Sequence, residues 1–215
     1  MTIRAIIFDF GGVLLRTEDP YPREHLATRL GLPKEMLYYQ IFESESARLA
    51  TIGKISAEAH WEAVRQALDI GENDFQAARD AFWAGDRLDE ELIETLRSMR
   101  PRYKTALLSN AWDDLRRVIL HNWDISDAFD EMIISAEVGI AKPDPRIFQI
   151  TIDRLGVLPG EAIFVDDFIE NIESARTFGL KTIHYQGNQR LNREMDMILD
   201  GQVNGSTPGD VFSLK

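Results

Sequence analysis

IRAIIF at Ile3 to Phe8 is a short, β-branched and nearly continuous apolar run that stops at an acid, Asp9. Such a run is expected of a strand buried on both faces, not of one with a wet side. Gly11-Gly12 then marks a turn or a close backbone approach. Outward from this stretch, comparable runs recur at Tyr103 to Leu108 (YKTALL), which ends at Ser109-Asn110, and at Met132 to Ile134. Two more are Ala162 to Val165 (AIFV), ending at Asp166-Asp167, and Lys181 to Tyr185 (KTIHY). Helical patterns separate them. Leu88 to Met99 carries an apolar rhythm through Leu92, Leu96 and Met99, and Asp144-Pro145 opens a helix that runs to Leu155 and stops at Gly156. Strands alternating with helices predict an α/β fold with a doubly wound, mainly parallel, Rossmann-like sheet.

From Thr17 to Gly85 the pattern changes to helices alone. Ser56 is the expected N-cap of one helix, with Ala57, Trp61, Val64 and Leu68 on a single face as core packing. The expected division is therefore a core of residues 1–16 and 86–200, an all-helical insert of residues 17–85, and a turn-rich C-terminal tail of residues 201–215.

The bulk composition narrows the function. A net charge of -12 argues against nucleic acid or an anionic membrane as the main partner, so positive charge for an anionic substrate must be local. The absence of cysteine excludes disulfides, thiol catalysis and thiolate-bound zinc. No apolar stretch is long enough to span a bilayer, and the first ten residues do not resemble a signal peptide, so a cytoplasmic location is the expectation.

Ligands of an open parallel sheet bind at the carboxyl ends of its strands. Asp9, Ser109-Asn110 and Asp166-Asp167 each follow a strand-like run, and Lys142 sits in the loop before the Asp144-Pro145 helix start. Three carboxylates, a hydroxyl and an ammonium are thus expected on one edge. Clustered carboxylates need a neutralising partner, and a hard cation with oxygen ligands, magnesium above all, meets that need.

FDFGGVLL (Phe8 to Leu15), LLSN (Leu107 to Asn110), AKPDP (Ala141 to Pro145) and VDD (Val165 to Asp167) resemble, in order and spacing, the four motifs of the haloacid dehalogenase superfamily. The helical insert falls where that family carries a cap, and GKISAEAHW at Gly53 to Trp61 resembles cap sequence of its phosphatase branches, nearest in flavour to the phosphatase-like N-terminal unit of epoxide hydrolases. The resemblance implies a magnesium-dependent hydrolase of a small phosphorylated metabolite. Asp9 would be the nucleophile that forms an aspartyl-phosphate. Ser109 and Asn110, by backbone and side chain, would bind phosphoryl oxygens, and Lys142 would offset negative charge. Magnesium would be held by Asp9, the Gly11 carbonyl and Asp167, with Asp166 nearby, while Asn171 steadies the acidic pair. A monomer or homodimer is expected.

The sequence departs from the family's phosphatases at Gly11, where they place a second Asp as general acid. Its loss removes a contribution of about 10²–10⁴-fold, which acyl or aryl phosphates with good leaving groups feel least. Glu18 or His60 are candidate substitutes, and Tyr38, Phe42, Arg48 or Trp61 candidate specificity residues of the cap. Two alternatives stand beside the phosphatase: a 2-haloacid dehalogenase using Asp9 without metal, and a catalytically impaired phospho-ligand-binding protein. His25, His60, His121 and His184 show no ligand spacing and read as structural, and Asp89 to Glu91 reads as a solvated acidic face.

Overall fold

A computed structural model describes residues 2–200 of the chain. In order, it contains β1 (Ala5–Phe8), β2 (Leu15–Thr17), α1 (Tyr21–Arg29), α2 (Lys34–Tyr38), α3 (Glu45–Thr51), α4 (Ala57–Ala67) and α5 (Glu72–Trp83). There follow β3 (Asp86–Leu88), α6 (Glu90–Met99), β4 (Lys104–Ser109), α7 (Leu115–Val118), β5 (Glu131–Ile134), α8 (Ser135–Val138) and α9 (Pro145–Leu155). The last are β6 (Ala162–Asp166), α10 (Ile169–Phe178), β7 (Lys181–His184) and α11 (Asn188–Asp200). The tail expected at residues 201–215 lies outside the described residues.

Five parallel strands form one sheet in the order β5-β4-β1-β6-β7. Because side chains alternate across a strand, β1 sends Ile6 and Phe8 to one face and Ala5 and Ile7 to the other. Ile6 and Phe8 pack with Leu92, Leu96, Leu191 and Met195 of α6 and α11, while Ile7 packs with Phe148, Ile152 and Ile172 of α9 and α10. Both faces are covered, which is why the strand runs read as continuously apolar. The doubly wound α/β architecture is the one the sequence predicts.

The helices from α1 to α5 bury a cluster of their own, including Leu26, Ile41, Trp61, Val64 and Phe82. Ser56 caps α4 by accepting the Ala59 N–H, as expected. Flanking the insert, β2 and β3 pair antiparallel, Leu15 opposite Leu88 and Thr17 opposite Asp86, so a two-stranded ribbon joins it to the core. Three-residue strands rich in Arg, Asp and Thr carry no apolar alternation, and the boundary at 16/17 falls within β2. Asp89 is also not part of a solvated face. It is buried, caps α6 through the Leu92 N–H, and pairs with Arg16 at 2.8 Å. Among the described residues no helix is long and apolar enough to cross a membrane.

Candidate active site

Strand register assembles the site. Phe8 is aligned with Leu107 of β4 on one side and Val165 of β6 on the other, and the Asp9 N–H continues the ladder by donating to the Val165 carbonyl. Asp9, Ser109 and Asp166 therefore end three neighbouring strands at the same edge, where an open parallel sheet presents its crevice.

Lys142 is the hub. Its ammonium donates to Asp9 Oδ1 at 2.8 Å, to Asp166 Oδ2 at 2.7 Å and to the Leu108 carbonyl at 2.9 Å, which uses all three protons. The Lys142 side chain is 1% exposed, so the charge is held in a dry setting where these contacts are strong. Asn110 fixes the loop that delivers it: its Nδ2 donates to the Lys142 carbonyl and its Oδ1 accepts the Lys142 N–H, both at 2.8 Å. The Asn110 side chain is thus closed onto the Lys142 backbone. Ser109 is buried, and its hydroxyl makes no hydrogen bond among the described residues.

The three acids differ in how they are held. Asp9 Oδ1 accepts from Lys142 and from the Phe10 N–H at 2.7 Å, which leaves Oδ2 uncommitted. Asp166 is fully buried and saturated: Oδ1 takes the Phe168 N–H and Asn171 Nδ2, and Oδ2 takes Lys142 and Asn171 Nδ2. Asn171 steadies Asp166 alone, because the first turn of α10 brings its amide under that carboxylate. Asp167 Oδ1, by contrast, is buried with no hydrogen-bond partner among the described residues. One oxygen from each acid lies within 4.8 Å of the others.

Three carboxylates around one ammonium leave an excess of negative charge. Burial pushes the Asp9 carboxyl up to about 7, with Lys142 opposing the rise and Asp166 adding to it. Asp167 is raised for the same two reasons, burial first and then the charge of Asp166. An orphaned buried carboxylate oxygen and an all-oxygen donor set fit a hard divalent cation such as magnesium.

The glycines define the space around these groups. Gly12 has φ +82°, and a Cβ there would lie 2.1 Å from Asp167 Oδ2, so the close approach expected at Gly11-Gly12 is made by Gly12. At Gly11 a Cβ would meet no atom within 4 Å. The space beside the Gly11 main chain is therefore open.

The candidate substitutes and specificity residues divide. His60 is fully buried between Ser46, 2.9 Å from Nδ1, and the Ile41 carbonyl, 3.0 Å from Nε2, and burial lowers its pKa. It is a core histidine and no proton donor to a ligand. Trp61 is likewise core, 3% exposed. Glu18 sits beside the β2–β3 ribbon with its side chain 56% exposed. Tyr38 receives a hydrogen bond from Arg23, whereas Phe42 and Arg48 are exposed. His184, read as structural from spacing, is the unforeseen neighbour: its Nε2 lies 2.9 Å from the Asp167 carbonyl. Two residues 17 apart on different elements leave no spacing signal to find.

Comparison with known proteins identifies the family. The chain is 27% identical to D-ribitol-5-phosphate phosphatase of Bacteroides thetaiotaomicron, over 92% of this chain and 99% of that one. It is 29% identical to (S)-2-haloacid dehalogenase 1 of a Pseudomonas species, over 89% of this chain and 85% of that one. Bifunctional epoxide hydrolase 2 of Rattus norvegicus is 26% identical over 94% of this chain, which spans only 40% of that protein's length. Among solved structures, a haloacid dehalogenase family enzyme of Bacteroides thetaiotaomicron in complex with magnesium and inorganic phosphate superposes with a TM-score of 0.70, at 22% identity over 84% of this chain and 93% of that one. Residues 3–179 match the family model of haloacid dehalogenase-like hydrolases, and the chain belongs to that hydrolase family.

Proposed function

We propose that the protein is a magnesium-dependent phosphatase of a small phosphorylated metabolite, working through an aspartyl-phosphate on Asp9. The observation that carries this reading is the partnerless Asp167 oxygen within a cluster of three carboxylates and one lysine. A dehalogenase that works without metal has no use for that surplus of buried charge. The similarity to D-ribitol-5-phosphate phosphatase along nearly the whole of both chains supports it further.

Asp9 Oδ2, the oxygen left free by Lys142 and Phe10, attacks phosphorus, and the bond from phosphorus to the leaving oxygen breaks. Lys142 holds Asp9 in place and offsets its charge as the phosphoryl dianion approaches. The Ser109 hydroxyl and the Asn110 main chain receive phosphoryl oxygens. Asp9, Asp167 and the Gly11 carbonyl would hold the cation, while Asp166 anchors Lys142. Bound magnesium supplies charge neutralisation at the phosphoryl group. Gly11 offers no proton to the leaving oxygen, so turnover depends steeply on how good a leaving group that oxygen is.

The test is phosphate release from aryl, acyl and sugar phosphates with and without magnesium, for the wild type and Asp9→Asn. Magnesium-dependent release that Asp9→Asn abolishes, ranked aryl and acyl above sugar phosphate, is the expected result. Halide release from a 2-haloacid with no phosphate release would make the protein a dehalogenase like its 29% identical relative. Inactivity in both assays with retained phospho-ligand binding would make it a binding protein.

A further inference from the structure

We propose that His184 is a positioning residue that aims the Asp167 carboxylate at the cation, an inference that rests on the magnesium reading above. Asp167 lies in the turn between β6 and α10, and its buried Oδ1 has no hydrogen-bond partner. With no hydrogen bond on that oxygen, the direction of the carboxylate leans on how the Asp167 main chain is held. Asp166 needs no such help, since four hydrogen bonds reach its carboxylate.

Two features flank Asp167. On one side stands Gly12, where any Cβ would press on the carboxylate at 2.1 Å. On the other, His184 reaches the Asp167 carbonyl from the end of β7 at 2.9 Å. A carbonyl can only accept, so Nε2 of His184 donates this hydrogen bond. The next residue works in parallel, with the Tyr185 N–H donating to the Asp166 carbonyl at 2.8 Å. Successive residues at the end of β7 thus hold successive carbonyls of the acidic pair. The Tyr185 contact is ordinary sheet pairing and survives any side-chain change. The His184 contact is made by a side chain, and no other residue described donates to that carbonyl.

Groups that orient a metal ligand from behind typically change affinity by about 10–100-fold when removed. Magnesium affinity of the full chain, titrated calorimetrically with the metal alone, reads this directly for the wild type, His184→Ala and His184→Gln. The alanine variant is expected to bind magnesium about 10–100-fold more weakly, with its melting point in EDTA near that of the wild type. The glutamine variant, whose amide nitrogen can donate to the same carbonyl, is expected to recover most of the loss. Should the alanine variant not fold, His184→Leu against His184→Gln makes the same comparison. Equal affinity in wild type and alanine variant overturns the proposal, as does glutamine binding as weakly as alanine. Wild type that binds no magnesium overturns the magnesium reading itself and this inference with it, an outcome distinct from loss of the His184 effect alone.

Discussion

Among the described residues two cations, Arg23 and Lys142, are buried against carboxylates, and the two arrangements are opposites. At the junction of insert and core, Arg23 faces Asp86 with side chains 6% and 8% exposed, and its Nη2 reaches both carboxylate oxygens, at 2.8 and 2.7 Å. Arg23 Nε donates to the Phe82 carbonyl, Nη1 to Tyr38, and the guanidinium lies 4.3 Å from the Phe82 ring centre. Asp86 also takes the Thr17 hydroxyl. One charge meets one charge, and the polar groups are satisfied. At the strand ends, one ammonium bonds two of three clustered carboxylates, and among the described residues an oxygen of the third is buried without a partner. A matched pair fastens elements together. An unmatched one stores a demand for positive charge, and a protein keeps such a demand where a ligand will meet it.

Removing each cation should separate these roles. Lys142→Met leaves Asp9 and Asp166 buried with no cation between them, and should cost about 3–5 kcal/mol by urea denaturation. It should also lower phosphate release by about 10²–10³-fold, with magnesium recovering part of the stability and little of the rate. Arg23→Met strands Asp86 in the same way and should cost a similar about 3–5 kcal/mol, yet leave kcat of the folded fraction little changed. If Arg23→Met disabled turnover as severely as Lys142→Met, the division into fastening and reacting clusters would be wrong.

Gly11→Asp sharpens the comparison by adding a fourth acid to the unmatched cluster. A Cβ at position 11 meets nothing within 4 Å, so the first carbon of the new side chain displaces no neighbour. Supplying a proton donor there should raise kcat/KM for an alkyl phosphate by about 10²-fold and for an aryl phosphate much less. An equal gain on both, or none on either, would mean that proton donation does not limit this enzyme.

The unmatched cluster was largely legible in the sequence and the matched one was not. Each acid of the site follows directly after a continuous apolar run, so its place at the sheet edge comes from strand periodicity alone, and the four motifs fixed the company it keeps. Arg23 and Asp86 are 63 residues apart, on α1 and on a strand of three residues. Neither position carries a pattern, because a buried ion pair across two elements is a property of packing. Asp89 was misread for the same reason: three acids in a row look solvated until Arg16 and Asn188 are brought to the first of them. His184 shows the limit within the site itself, since the hydrogen bond that matters ends on a backbone carbonyl and involves no recognisable pair of residue types.

The surplus charge should also be visible without substrate. Burial raises the Asp9 carboxyl from 3.8 to about 7, so between those values the folded protein holds a proton that the unfolded chain has released. The stability this group contributes is therefore complete below about pH 4 and is lost as pH rises through about 7. Asn at position 9 has no proton to lose, and Lys142 keeps Asp166 as its partner. In EDTA, Asp9→Asn should then be more stable than the wild type at about pH 8, by roughly 1–3 kcal/mol, with the gap shrinking toward about pH 5. Magnesium should reverse the order at the higher pH, because the cation supplies to three carboxylates what the mutation supplies by deleting one. Equal stability of the two proteins in EDTA at both pH values would show that Lys142 alone balances the cluster, and the argument for a second cation would lose its electrostatic basis.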